Sequence, residues 1–113
     1  MADCVFCKII DKTIPADIVF EGDNVIAFRD INPKAPVHVV IIPKKHINPL
    51  EDMDEEDIVM IPEIYMAART IAADEGIDVS GYRVLTNTGP DSGQEVEHMH
   101  WHLLGGRLLG DIG

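Results

Sequence analysis

Apolar residues in this chain follow two different periods, and the change from one to the other sets out its elements. Ile18 to Glu21 and Val25 to Arg29 are short β-rich runs on either side of Gly22-Asp23-Asn24, a turn-rich triplet that predicts a hairpin. Val37 to Ile42 reads as a buried strand, entered from Asn32-Pro33-Lys34-Ala35-Pro36, where each proline keeps its predecessor extended, and closed by Pro43. From Asp54 the period becomes helical, with Ile58, Ile61, Tyr65, Ala68 and Ala72 along one predicted inward stripe. Asp54 is placed to cap this helix, Glu55, Glu56 and Asp57 suit its positive end, and Gly76 is a natural stop. Pro62 is expected to kink or split it.

Tyr82 to Asn87 and Glu97 to Leu104 read as strands again, separated by the loop Thr88 to Gln94. At the other end, Cys4 to Ile10 predicts a short helix with Val5, Phe6 and Ile9 inward, broken at Ile14-Pro15. Strands, then a long helix, then strands imply an α+β fold with a largely antiparallel sheet. With no repeat or dividing linker, residues 1–113 are expected to form a single domain.

Composition narrows the function. Hydrophobic residues make up 46% and charged residues 26%, as in an ordinary soluble globular protein. Nine Lys and Arg against twenty Asp and Glu give a net charge of -11, which repels long polyanions and leaves room for one small phosphate-bearing ligand held locally. The longest unbroken aliphatic run, Val39 to Ile42, is far below the roughly 20 residues of a membrane helix, and a cytoplasmic location is expected. Cys4 and Cys7 are too close together to staple a domain and read as a metal or redox pair.

The chemistry concentrates in Glu97 to Leu104. In an extended strand His98, His100 and His102 share one face while Met99, Trp101 and Leu103 share the other, so the apolar set can enter the core and leave three imidazoles in a cleft. Imidazoles about 7 Å apart, two strand rises, can bracket a phosphate and its leaving group with donors and acceptors near neutral pH. Gly105-Gly106 follows, where a backbone can turn sharply or approach closely. Upstream, Gly93-Gln94 offers open backbone and an uncharged donor for phosphate oxygens.

His98-Met99-His100-Trp101-His102-Leu103-Leu104 resembles the alternating motif of the histidine triad family, most nearly its nucleotide-binding phosphoramidase branch. Phe28-Arg29-Asp30-Ile31-Asn32-Pro33, Ala35-Pro36-Val37-His38, Ile42-Pro43-Lys44-Lys45-His46-Ile47 and Gly81-Tyr82-Arg83 resemble that branch too, so the likeness covers almost the whole chain. It implies a histidine triad-like α+β fold, a mostly antiparallel five-stranded sheet with one long and one short helix, and a homodimer with a continuous sheet.

For the chemistry, the resemblance implies a purine nucleoside phosphoramidate hydrolase. His100 would be the nucleophile, forming a nucleotidyl-histidine whose hydrolysis releases a nucleoside monophosphate. It further implies that the carbonyl of His102 orients His100, that His38 supports the nucleophile from a neighbouring strand, and that His102 lies at the phosphate. Asn87, Gly93, Gln94, Glu95 and Val96 would line the phosphate side, with only backbone carried over for Glu95, which stands where some relatives have serine. Asp30 would accept from the ribose hydroxyls, and Val5, Phe6, Ile9, Phe28 and Ile31 would form an apolar base pocket. Relatives that keep the cysteine pair hold a structural zinc through the positions of Cys4, Cys7, His46 and His98. Two other readings stay open: a nucleotide-binding regulatory or scaffold protein with incidental hydrolysis, and a zinc enzyme using all three alternating histidines on one metal.

Overall fold

A computed structural model describes residues 4–113. Five strands form one antiparallel sheet in the order β1-β2-β3-β5-β4, with β1 at Ile18–Glu21, β2 at Val25–Arg29, β3 at Val37–Pro43, β4 at Tyr82–Thr86 and β5 at Trp101–Gly105. The short helix α1 covers Val5–Ile10 and the long helix α2 covers Glu55–Asp74. Among the described residues no helix is long and apolar enough to cross a membrane.

Strand alternation divides the core into two layers. Val25, Ala27, Val39, Ile41, Trp101 and Leu103 face α2, whereas Ile26, Phe28, Val40 and Ile42 face Phe6 and Ile9 of α1 on the other side. His38 and His102 have the second parity, so the face that carries α1 also carries the histidines. Of the three α1 residues expected inward, Phe6 and Ile9 are buried, but Val5 is 41% exposed because a six-residue helix on a sheet covers only a narrow stripe.

Two further expectations are corrected. The strand read over Glu97 to Leu104 begins only at Trp101. Residues 97–100 leave the ladder and are held by other bonds, Met99 N–H donating to the Ile47 carbonyl at 2.8 Å and His98 Nε2 lying 2.9 Å from the Pro43 carbonyl. On α2 the buried stripe is Ile64, Ala67, Ala68, Ile71 and Ala72, not the one through Ile58 and Tyr65, which are exposed. The amino-terminal half of the helix is apolar on more than one side, and the face with small alanines lets it approach the sheet closely.

Asp54 caps α2 as expected, in a reciprocal box: Asp57 N–H donates to Asp54 Oδ1 at 2.9 Å and Asp54 N–H to Asp57 Oδ2 at 3.2 Å, a cap worth about 1 kcal/mol. Gly76 follows the helix at φ 73°, and Pro62 is accommodated within a continuous helix. At the far end, Arg29 of β2 grips Glu75 through two parallel bonds, one of 2.9 Å, which fixes the helix across the sheet.

Candidate active site

β3 and β5 are paired through His38↔Leu104 and Val40↔His102, which brings His38 and His102 side by side on the α1 face. His38 Nε2 lies 2.9 Å from His102 Nδ1. The proton positions follow from a third group. Lys34 N–H donates to His38 Nδ1 at 3.0 Å, so that nitrogen is an acceptor and the His38 proton resides on Nε2. It is donated to His102 Nδ1, and His102 in turn carries its proton on Nε2. Burial lowers the pKa of both rings, His102 to about 4, so each is neutral at pH 7. His102 therefore offers a neutral N–H donor.

His100 is set differently. Its Nδ1 donates to the carbonyl of His98 at 2.8 Å, which leaves Nε2 unprotonated and able to act as a nucleophile. The carbonyl expected in this role was that of His102. Because residues 97–100 lie outside the ladder, the carbonyl two residues before His100 turns toward the ring instead. Thr86 of β4, which no motif singles out, donates its hydroxyl to the His100 carbonyl at 2.7 Å. The ring of Phe6 stands edge-on to His100 with centroids 5.1 Å apart.

Beside these histidines a cavity of about 810 Å³ opens between α1, β2 and the loop after β4. Val5, Phe6, Ile9, Phe28 and Val40 form its apolar side, and Asp30, His38, Asn87, Gly93, Glu95, Val96, His100 and His102 also line it. Ile31 lines its mouth while remaining 92% exposed. Asp30 Oδ1 accepts from Asn32 N–H at 2.8 Å, and Oδ2 lies 3.4 Å from His38 Nε2. Gln94 is not brought to the cavity wall: its Oε1 accepts from Gly89 N–H at 2.8 Å and its Nε2 donates to Asn48 Oδ1 and the Val96 carbonyl, bracing the loop that carries Gly93. Nothing in the sequence distinguished that bracing role from a ligand contact.

His98 faces away from the cavity. Its Nε2 donates to the Pro43 carbonyl, so Nδ1 is free of a proton and lies 3.4 Å from Cys4 Sγ and 3.7 Å from Cys7 Sγ. Cys7 Sγ is 3.3 Å from His46 Nδ1, and the four candidate ligand atoms all lie within 4.8 Å of one another. A tetrahedral zinc with ordinary bond lengths separates sulfur from nitrogen by about 3.6 Å. The donor set and spacing fit that ion, with the Pro43 carbonyl as the outer partner that fixes the His98 tautomer. Burial, reinforced by Cys4, pushes the Cys7 thiol up to about 11 without a metal. Asp30, His38 and His102 also cluster within 4.8 Å, but the Lys34 amide on His38 Nδ1 obliges Nε2 to keep its proton, which suits a relay and not a ligand. The three alternating histidines do not converge on one metal; each ring has its own partner.

Fold and site together define a class: a small α+β protein with a poised imidazole nucleophile and a hydrogen-bonded histidine pair at the edge of an apolar cavity. Residues 3–111 match the family model described as scavenger mRNA decapping enzyme C-term binding. The purine nucleoside phosphoramidase of Escherichia coli K12 is 47% identical over 110 residues, covering 97% of this chain and 92% of that protein. A HIT family hydrolase from Clostridium thermocellum superposes with a TM-score of 0.94 at 48% identity, over 98% of this chain and 96% of the other. A zinc-bound histidine triad family protein from Mycobacterium smegmatis superposes at 0.81 with 29% identity, over 94% and 76%. The chain belongs to the histidine triad family and is a hydrolase.

Proposed function

We propose that the protein hydrolyses purine nucleoside phosphoramidates through a nucleotidyl-histidine. The observation that carries this reading is the His100 ring, whose Nδ1 proton is committed to the His98 carbonyl and whose Nε2 lone pair is left to attack. Attack on the α-phosphorus forms an Nε2–P bond; the P–N bond to the leaving group breaks with its electron pair on nitrogen, which takes the His102 Nε2 proton and departs as an amine. Because Nδ1 keeps its proton, the nucleotidylated ring is cationic and a good leaving group. Water then attacks the same phosphorus and gives a proton back to His102 Nε2, the Nε2–P bond to His100 breaks, and a nucleoside monophosphate such as AMP or GMP is released.

The His102 Nε2–H donates to a nonbridging oxygen or to the leaving group, and His38 holds that donor in the required tautomer. Asn87 and the backbone of Gly93, Glu95 and Val96 face the phosphate, and the Asp30 carboxylate accepts from the ribose hydroxyls. Val5, Phe6, Ile9, Phe28 and Ile31 enclose the base by apolar contact, which accepts either purine. The cavity volume is in the range for a nucleotide-sized ligand.

Cys4, Cys7, His46 and His98 would hold a structural zinc, which when bound ties α1 to residues 97–100 and takes no part in the chemistry. Cytoplasmic reducing conditions keep that thiol pair available. A homodimer is supported by the unpaired edge of β4 and by exposed Ile58, Val59, Tyr65 and Met66 on α2.

His100→Ala tests the mechanism. It is expected to abolish turnover of adenosine 5'-phosphoramidate and to form none of the nucleotidyl-enzyme that an alkali-quenched wild-type reaction retains, while keeping the native circular dichroism spectrum. Normal turnover by this variant would overturn the covalent route, and a folded wild-type protein that binds AMP without hydrolysing the phosphoramidate would favour a binding role.

A further inference from the structure

The backbone of Lys34 is held on both sides of its Cα. Its N–H donates to His38 Nδ1 at 3.0 Å, and its carbonyl accepts from Arg107 Nη2 at 2.7 Å. The same guanidinium donates through Nη1 to the Leu108 carbonyl at 3.0 Å, which fixes its plane. Arg107 reaches Lys34 because the chain turns sharply after β5. Gly106 has φ +93°, and a Cβ there would lie 2.9 Å from Pro36 Cβ, so only glycine allows the backbone to lie directly on the proline loop. The loop is short of other anchors: Asp30 N–H donates to the His38 carbonyl and Asn32 N–H to Asp30 Oδ1, while the Lys34 side chain turns back onto the Asn32 carbonyl. None of these three bonds touches the His38 ring, which the loop meets elsewhere through Asp30 Oδ2, 3.4 Å from Nε2.

The consequence lies in the protons. A histidine pair joined Nε2 to Nδ1 has two neutral arrangements, and only an outside donor or acceptor selects between them. The Lys34 amide makes that selection at Nδ1, and the Asp30 carboxylate, 3.4 Å from His38 Nε2, favours the same arrangement from the other side of the ring. If it swings away, His38 can place its proton on Nδ1, His102 then donates from Nδ1, and His102 Nε2 faces the cavity as a lone pair, repelling phosphate oxygens where an N–H would attract them.

We propose that Arg107, delivered by Gly106, is a positioning residue for the histidine pair: by holding the Lys34 carbonyl it keeps the Lys34 amide on His38 and thereby fixes the tautomers of both His38 and His102. The catalytic consequence rests on the phosphoramidase reading above; the tautomeric one does not.

Arg107→Ala tests it with two readouts. Long-range proton–nitrogen correlation spectra at neutral pH report which ring nitrogens carry protons. The wild type is expected to show His38 and His102 each protonated at Nε2, and the variant a mixture at both rings. Losing one charge-assisted hydrogen bond is expected to lower kcat for adenosine 5'-phosphoramidate about tenfold and leave KM within about twofold. Arg107→Lys, which keeps the cation but bonds only one carbonyl, should fall between, and it serves as the test if the alanine variant does not fold. Wild-type tautomers in the variants overturn the proposal, whether turnover is kept or lost, since a loss would then act elsewhere. A wild-type protein inactive on the phosphoramidate would overturn the proposed activity and leave the ring spectra to judge the clamp.

Discussion

The carbonyl of His98 receives the Nδ1 proton of His100 at 2.8 Å, while the side chain of His98 turns the opposite way and brings its own Nδ1 within 3.4 Å of Cys4 Sγ. One residue thus joins the candidate metal centre to the nucleophile. Phe6, on the helix that carries Cys7, packs against both rings, with centroid separations of 5.8 Å to His98 and 5.1 Å to His100.

Metal removal is therefore expected to affect stability and chemistry together. A ligand present at a hundred times its dissociation constant adds about 2.7 kcal/mol, and each kcal/mol moves the Tm of a domain this size by about 4 °C or more. Stripping the purified protein with a chelator should lower Tm by about 10 °C and reduce kcat, both restored by one equivalent of zinc. Elemental analysis of protein purified without added metal should give one zinc per chain. A metal-free protein of unchanged Tm and kcat would remove both the zinc and its link to His100.

Thr86 holds the other side of the nucleophile, through its hydroxyl on the His100 carbonyl at 2.7 Å. Thr86→Val keeps the shape and leaves that carbonyl short of a partner, a cost of about 1–2 kcal/mol. The variant should unfold at lower urea concentration and turn over more slowly, and Thr86→Ser should recover both. Equal denaturation midpoints for wild type and Thr86→Val would show that the bond carries no weight.

What the sequence disclosed and what it hid divide along regularity. His102, Trp101 and Leu103 take the faces that alternation assigns because they sit inside a paired strand. The carbonyl that orients His100 could not be read by the same rule, since residues 97–100 leave the ladder and carbonyl direction there is set by Pro43 and Ile47. On α2, Ile58, Tyr65 and Ile64 all fit helical spacing, and only the close approach permitted by Ala67, Ala68 and Ala72 selects the buried face. Thr86 and Arg107 act through backbone carbonyls of residues distant in sequence, contacts that leave no local pattern.

The neutral histidine pair gives stability a definite pH dependence. An unfolded chain takes up a proton on His102 below its ordinary 6.5, whereas burial delays that uptake in the folded protein until about 4, and burial lowers His38 in the same sense. The unfolded state thus binds more protons as pH falls through this interval, so unfolding free energy should decline from pH 7 to pH 5, above the range where the paired carboxylates of Asp57 and Glu75 titrate. Urea melts at several pH values check this. His98, likewise lowered to about 4 by burial, adds to the slope, so His102→Gln should reduce the dependence without removing it, and an identical slope in that variant would place the proton uptake elsewhere.

The face of α2 that sequence periodicity put inside bears on assembly. Ile58 and Tyr65 are 56% and 49% exposed, Val59 and Met66 stand beside them, and a lone chain leaves this apolar surface in water. The edge strand β4 has backbone donors and acceptors open on one side, and pairing it with a second copy would extend the sheet. Sedimentation at micromolar concentration should give twice the 12.5 kDa mass of one chain. Tyr65→Asp combined with Met66→Glu puts like charges opposite their own copies across a two-fold axis and should shift the protein to the monomer without disturbing the core, because neither side chain belongs to the buried stripe. A wild-type monomer under these conditions would defeat the dimer, and a double variant that remains dimeric would move its interface off α2.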